Sequence, residues 1–547
     1  MRTLPALILF ISLTSGAALI EARQAGGPAI GFEDLATGLD HPDRWLTYSG
    51  NYSGDRHSPL TQITPDNVDR LAPRWTFQAG AMPLSRGWEG VPLVVDGVMY
   101  VTGNDNWAWA IDAGTGRTLW SYRRTLPDDL TYGGANRVNR GFGILGDRLF
   151  LATLDAHVVA LDRNTGREIW DVPFADYVDG FAATLAPLVV DGKVIIGNSG
   201  GDYPTRGFID AYDADTGRRL WRFYTIPGPG EPGSDTWPDE ETMLRGGGAT
   251  WMTGSYDPES NLIYWGTGNP NPDYYGGGRL GDNLYTASIV ALDAETGSLE
   301  WYYQFTPHDL HDWDATQMPV LTDLEVDGEM HPVVMMANRN GFFYTLDRLN
   351  GELLVGEPFT GTQWARELDS DGRPLVLNDG LILPGEDEPR GACVPDLRGG
   401  TNFNPPAYDP DRQLFFVMAR ESCAFYQQRI DEVPDRQLFM SGTLRQQPEP
   451  SYSALRALNP ATGEIVWETM IGDLNQTGVT STASGVVFAG NIEGDFAAFD
   501  SETGERLWSY YTGYPIHGTA AMTYMLDGVQ YVAIGSGSTL VAFALTD

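Results

Sequence analysis

With 547 residues, 65 glycines, 35 prolines, 16 tryptophans and 12% aromatic residues, the chain suits short strands and tight turns, which excludes long helices and disorder. Its net charge of −38 excludes nucleic acid as a partner, because phosphates would be repelled at every approach. An all-β repeat architecture with one continuous core is expected.

In chain order, the first feature is an apolar run from Leu4 to Ile20 preceded by Arg2, with Ser15, Gly16, Ala17 and Ala18 near its end. It reads as a secretory signal peptide over residues 1–22, too short for a stable span; an uncleaved anchor is the competing reading. No second stretch of spanning length follows, so an exported soluble protein with no membrane span is expected. In an oxidising compartment the isolated pair Cys393 and Cys423 reads as a disulfide. No Cys-x-x-Cys-His occurs, so no covalent haem is expected and electrons would need another carrier.

Beyond the leader the chain repeats itself. AIDAGTGRTLW (Ala110 to Trp120) recurs as ALDRNTGREIW from Ala160, AYDADTGRRLW from Ala211, ALDAETGSLEW from Ala291, ALNPATGEIVW from Ala457 and AFDSETGERLW from Ala498, with a degenerate TLDRLNGELL from Thr345. Each reads as strand, tight turn, strand. Thr-Gly supplies the positive-φ turn position, and a tryptophan follows four residues later as a packing device that docks one repeat on the next. Most repeats begin about 40 to 55 residues after the previous one, the spacing of a propeller blade. The long interval from 211 to 291 implies an insertion, and that from 345 to 457 an insertion-bearing blade whose motif has decayed. Seven visible motifs and this hidden blade predict eight blades, with strands from the two chain ends closing the ring.

One stretch concentrates chemistry. WYYQFTPHDLHDWDATQMP, from Trp301 to Pro319, gathers His308, His311, Asp309, Asp312 and Asp314, with Glu300 just upstream, in a chain with only seven histidines. Clustered carboxylates serve hard metal ions and proton transfer alike. A solvated acidic turn is the plainer reading.

Together these segments resemble the pyrroloquinoline quinone (PQQ) dependent alcohol dehydrogenases of methanol- and ethanol-dehydrogenase type. The resemblance runs from about Asp43, where DRWLTYSGNYSGDRHSPLTQI looks like the family's first segment, and implies a single eight-bladed β-propeller over residues 43–547. By motif, GNSGGDYPTRG places Asp202 where the family has a metal-binding glutamate. WGTGNPNPD places Asn269 at its metal-binding asparagine. PHDLHDWDA places Asp312 at its catalytic aspartate, and ANRNGFFYTLDR places Arg339 at the arginine that contacts quinone and base. Glu89 in WEGVPLVV, Arg140 in RVNRGFG, Thr184 in ATLAP, Trp251 in GGGATWMTG and Asn402 in GGTNFNPPAY fall at cofactor-pocket positions. The same resemblance gives Cys393 and Cys423 as a structural disulfide away from the site.

Three departures stand out. The family's adjacent cysteine pair falls at Gly134 and Ala135, so its disulfide ring is missing. A second cofactor tryptophan reads as Gln476, making the upper pocket more polar or more open. Asp202 is one methylene shorter than glutamate, which weakens two-oxygen metal binding.

The resemblance implies a periplasmic enzyme in which Asp312 takes the alcohol proton, hydride passes to PQQ polarised by a metal, and Arg339 stabilises developing negative charge. Electrons then pass to a soluble c-type cytochrome. The spacing of Asp312 and Asp314 lets both reach one ion. With Asp202 and Asn269 they form an oxygen-only shell whose charge favours a lanthanide over Ca²⁺. A zinc site on the histidines is the lesser reading. A non-catalytic propeller scaffold, and a related dehydrogenase for polyols or glycols, are the competing functions. A homodimer is left open.

Overall fold

A computed structural model describes residues 29–80, 87–130 and 137–546. The readings placed on residues 1–22 and on Gly134 and Ala135 lie outside the described residues.

The chain is all-β, as expected, with two helices of five and six residues among the described elements. Eight largely antiparallel sheets of four or five strands follow one another along the sequence, two of them with one short parallel strand added, and a small two-stranded sheet (Ala365–Leu368 with Pro374–Val376) is inserted among them. A representative sheet comprises Ser255–Asp257, Leu262–Gly266, Ser288–Asp293 and Leu299–Gln304. Its first three strands are buried on both faces, while the fourth alternates toward solvent. Central strands therefore read as continuous apolar runs, and edge strands carry the charge.

Each motif tryptophan docks one sheet on the next. The indole of Trp221 donates to the Ala294 carbonyl at 3.2 Å, and Trp120, Trp301 and Trp467 donate in the same way to Arg163, Arg348 and Ser501 at 2.8–3.0 Å. The ring lies flat on the turn glycine of the next repeat: a Cβ on Gly297, at φ +72°, would stand 2.5 Å from Trp221. The Thr-Gly of the motif thus answers two demands, a left-handed turn and room for an indole. In the degenerate repeat Val355 replaces the tryptophan, and Gly463 of the next sheet meets Val355 and Glu357 instead.

The ring of sheets closes as anticipated. Leu71–Gln78 pairs antiparallel with Thr539–Leu545, with Leu71 opposite Leu545, Gln78 opposite Thr539 and a bulge between Pro73 and Trp75. This closing sheet is the one without a repeat motif of its own, because its outer strand comes from the other end of the chain; Trp75 on that strand still docks onto Ala113 at 2.9 Å. The expectation of a hidden blade between 345 and 457 is therefore corrected. That interval holds the inserted two-stranded sheet, loops, and the first strands of the sheet whose motif begins at Ala457.

The disulfide between Cys393 and Cys423 is formed, with Cα atoms 5.4 Å apart, tying this insertion to the long strand Leu414–Gln428. No helix among the described residues is long and apolar enough to cross a membrane.

Docking by tryptophan on glycine is directly testable. Gly297→Ala should lower unfolding stability by about 2–4 kcal/mol, from overpacking plus a left-handed backbone. Gly328→Ala, at φ +85° with nothing within 4 Å, should cost only the backbone part of about 1–2 kcal/mol. Equal losses in denaturant unfolding would rule out the docking account.

Candidate functional site

In an antiparallel sheet the start of the first strand and the end of the second lie at the same edge, so loops at those two points converge at one end of successive sheets. The sequence-selected residues occupy these points. Glu89, Arg140, Thr184, Trp251, Asp312, Asp314 and Asn402 precede first strands, at Leu93, Gly143, Leu188, Ser255, Val320 and Ala407. Asp202, Asn269 and Arg339 follow second strands that end at Gly197, Gly266 and Ala337.

The loop carrying the acids is organised by its own residues. Asp309, fully buried, accepts the backbone N–H groups of His311 and Trp313 at 3.0 and 2.8 Å. His311 stacks on Trp313 with ring centroids 4.1 Å apart and bonds the Asp379 carbonyl, and His308 Nδ1 bonds the Gly281 carbonyl at 2.7 Å. Both histidines and Asp309 thus shape the loop, leaving Asp312 and Asp314 to face inward. Asp312 sits at φ +61°, a left-handed conformation of the kind that functional sites sustain at a cost of order 1–3 kcal/mol.

Arg339 ties the acids together. Its Nη2 donates to Asp314 Oδ2 at 2.7 Å, its Nη1 donates to the Asp312 and Leu397 carbonyls at 2.7 and 3.1 Å, and Nη1 stands 3.5 Å from Asp312 Oδ1. Asn402 Oδ1 is a further acceptor at 3.4 Å. Asp314 also accepts the Trp251 indole N–H at 3.0 Å and the Asn269 backbone N–H at 2.7 Å. Glycine permits this last approach, because a Cβ on Gly268 would stand 2.6 Å from Asp314 Oδ1.

A second buried cluster lies beside Trp251. Arg140 and Glu89, each 1% exposed, form an ion pair at 2.8 Å, and Arg140 Nη1 donates to the Thr184 hydroxyl at 2.6 Å. The Arg140 guanidinium lies 5.0 Å from the Trp251 ring centre and 4.6 Å from that of Phe403, and the two rings meet edge to face at 5.6 Å. Gln476 is buried nearby, its carbonyl accepting from Gly518, and a Cβ on Gly518 would press on Glu89 and Phe403. An aromatic floor with a guanidinium and hydroxyls at its edge matches a flat, carboxylate-bearing cofactor.

The electrostatics of the acids all run one way. Burial, reinforced by the charge of Asp314, pushes the carboxyl of half-buried Asp202 up to about 6 despite Arg339. Burial also lifts Asp312 well above the carboxylate range; Arg339 opposes the rise, while Asp273, Asp202 and Asp314 add to it. Asp314 is raised by burial against the pull of Arg339, Asn269 and Trp251. Asp273, fully buried, is lifted by burial and by the charges of Asp202 and Asp314. A cation placed among them would reverse every one of these shifts.

The donor set fits a hard cation, since it consists of carboxylates and one amide oxygen. Asn269 Nδ2 is taken by the Pro270 carbonyl and Asp273 Oδ1, which turns its Oδ1 toward the Gly201–Asp202 loop, where a Cβ on Gly201 would lie 3.8 Å away. The acids do not close on one point. Among the described residues the group whose ligand atoms fall within 4.8 Å of one another is His57, Asp409 and Asp411, where Asp409 is already held by Arg412 and two backbone N–H groups. Three residues escaped the sequence reading: Asp273, Ser199, whose hydroxyl bonds Thr184 at 3.0 Å, and Phe403. Each lies inside a segment singled out for a neighbour.

The chain matches the PQQ family described as glucose/ethanol/alcohol dehydrogenase, β-propeller domain, over residues 45–357 and 371–532. It is 36% identical to the quinoprotein alcohol dehydrogenase PedH of Pseudomonas putida, covering 96% of this chain and 91% of that protein. It is also 36% identical to the lanthanide-dependent methanol dehydrogenase of Methylacidiphilum fumariolicum, over 91% and 85%. A solved structure of a europium-containing methanol dehydrogenase superposes with a TM-score of 0.87 at 32% identity, covering 94% of this chain and all of the other.

Two outcomes are expected of the metal-free protein. Asp202 holds its proton to higher pH folded than unfolded, so its contribution to stability falls as pH rises from about 4 to 6. Asp202→Asn removes that penalty, and its melting temperature relative to the parent should rise by a few degrees between pH 4 and pH 7; a pH-independent difference would refute the coupling. Arg140→Met leaves Glu89 charged and buried, and should cost about 3–5 kcal/mol, most of it recovered when Glu89→Gln is added.

Proposed function

Because the chain belongs to the PQQ-dependent glucose/ethanol/alcohol dehydrogenase family, we propose that it oxidises an alcohol to an aldehyde at the cluster of Asp312, Arg339 and Asp314. The observation that supports this most is Arg339, which reaches Asp312 and Asp314 on one loop and Asn402 on another, beside the Trp251 indole. The same reading takes the eight sheets as the eight blades of a single propeller over residues 43–547.

PQQ, when bound, supplies a quinone that accepts two electrons from the alcohol carbon. Trp251 offers its face as a floor, Arg140 and Thr184 offer a cation and a hydroxyl to carboxylates, and Glu89 fixes Arg140; Asn402 steadies Arg339 at the edge. Asp312 is the base. Its carboxylate lies beside the Arg339 guanidinium, which opposes the rise that burial and the neighbouring acids impose, and a cation bound among those acids would lower it further toward the ionised form a base needs. Arg339 also stabilises negative charge that develops on the substrate oxygen.

Asp202, Asn269, Asp312 and Asp314 are the residues that would hold a metal ion, which supplies Lewis acidity to the quinone. Three carboxylates and an amide oxygen suit a hard ion of high charge, and we read a lanthanide ahead of Ca²⁺. The electrons leave to a soluble c-type cytochrome, and the working compartment is the periplasm. A small alcohol is the substrate class preferred, with polyols and glycols the second reading, because the buried residue at the second cofactor tryptophan position is the polar Gln476.

Dye-linked alcohol oxidation by protein reconstituted with PQQ, in parallel with La³⁺ and Ca²⁺, tests this. Turnover is expected with lanthanum, lost in Asp314→Ala, and Asp312→Asn should lower kcat by about 10²–10⁴-fold with PQQ still bound. Turnover with calcium alone would overturn the metal assignment. Neither turnover nor PQQ absorbance with either ion would overturn the enzyme and leave a scaffold.

A further inference from the structure

The surroundings of Asp273 are unusual for a carboxylate. It is fully buried, its Oδ1 accepts Asn269 Nδ2 at 3.0 Å, and its Oδ2 has no hydrogen-bond partner. A buried carboxylate oxygen left without donor or cation is strongly unfavourable. The nearby cation is committed elsewhere: Arg279 Nε and Nη2 donate to the Pro272 carbonyl, Nη1 to Asn283, and Nη2 again to the Asp309 carbonyl.

The backbone sets Asp273 beside Asp202. Phe439 N–H donates to the Asp202 carbonyl at 2.8 Å, and the Phe439 carbonyl accepts Asn271 Nδ2 at 3.2 Å. The next residue, Met440, accepts Tyr274 N–H at 3.0 Å through its own carbonyl. One short strap, Phe439–Met440, therefore clamps both acid-bearing loops. Asp202 and Asp314 are the charges that act most strongly on Asp273, consistent with this placement.

We propose that Asp273 is a further carboxylate ligand of the cation site, its Oδ2 completing the shell formed by Asp202 and the Asn269 amide oxygen. This rests on the reading that these residues hold a cation. Asp273 orients that amide through Oδ1 and adds a fourth negative charge to those of Asp202, Asp312 and Asp314. Attraction scales with the charge of the ion, so the additional carboxylate favours a trivalent over a divalent cation.

The test is cation binding to the full-length, chelator-stripped protein, without quinone or alcohol. La³⁺ and Ca²⁺ are titrated by calorimetry, and Tb³⁺ by emission sensitised through tryptophan. Asp273→Asn keeps an acceptor for Asn269 Nδ2 and removes only the charge. It should weaken La³⁺ and Tb³⁺ at least tenfold and Ca²⁺ less, narrowing the preference between them, while the metal-free melting temperature stays the same or rises. Affinities within twofold of the parent would make Asp273 a support for Asn269 and overturn the proposal. Should Asp273→Asn not fold, Asp273→Ser is read by the same criteria. A parent protein that binds none of the three ions would overturn this proposal together with the reading it rests on.

Discussion

Mutual repulsion among four carboxylates held out of water is the interaction that the surrounding structure must oppose. Burial strips water from each carboxylate, and the charges of neighbouring acids add Coulomb repulsion to that penalty. Asp202, Asp273, Asp312 and Asp314 all respond by shifting toward the protonated form. One guanidinium, Arg339, stands among them, and its two arms are divided between Asp314 and the backbone of Asp312. The arrangement is charged for a cation, and Asn269 presents its amide oxygen to the same region because both of its amide hydrogens are already engaged.

Such a cluster persists only on a frame that cannot relax. Four acids on loops of three successive sheets would drift apart if the sheets could slide. The tryptophan-on-glycine contacts oppose this, and between the sheets that carry the four acids they do so through Trp221 and Trp301, each with an indole hydrogen bond and a flat ring contact. Pairing of Leu71–Gln78 with Thr539–Leu545 ties the two ends of the chain and leaves no free edge there. Rigidity is then delivered to the loops: Asp309 pins two backbone amides in the acid loop, and Asp312 is carried at a positive φ that a looser loop would relax.

Much of this was legible in the residues. The repeated Thr-Gly and tryptophan reported strand, turn and docking contact together, because both constraints act within eleven neighbouring residues. Asp202, Asn269, Asp312, Asp314 and Arg339 were selected by motif, and the structure carries them on loops at one end of the sheets. Asp273 was not found although it lies in the quoted WGTGNPNPD, since a lone acid after a proline reads as a turn. Its significance lies in its lack of an Oδ2 partner, a property of packing. The hidden blade was misplaced for a related reason. A sheet assembled from the two chain ends has no contiguous motif, so its signal is split between Trp75 and residues beyond Met522.

The sequence alone determined the all-β class, the repeat period, the docking tryptophans, the disulfide partners and the identity of most chemical groups at the site, because each is written in local spacing or composition. Tertiary structure alone decided which acids share a charge environment and which only shape a loop. Asp309 and Asp312 are three residues apart, yet one caps backbone amides and the other faces Arg339. The difference is set by where the loop of Arg339 arrives, 27 positions along the chain and on the next sheet, and that is decided only when the sheets pack.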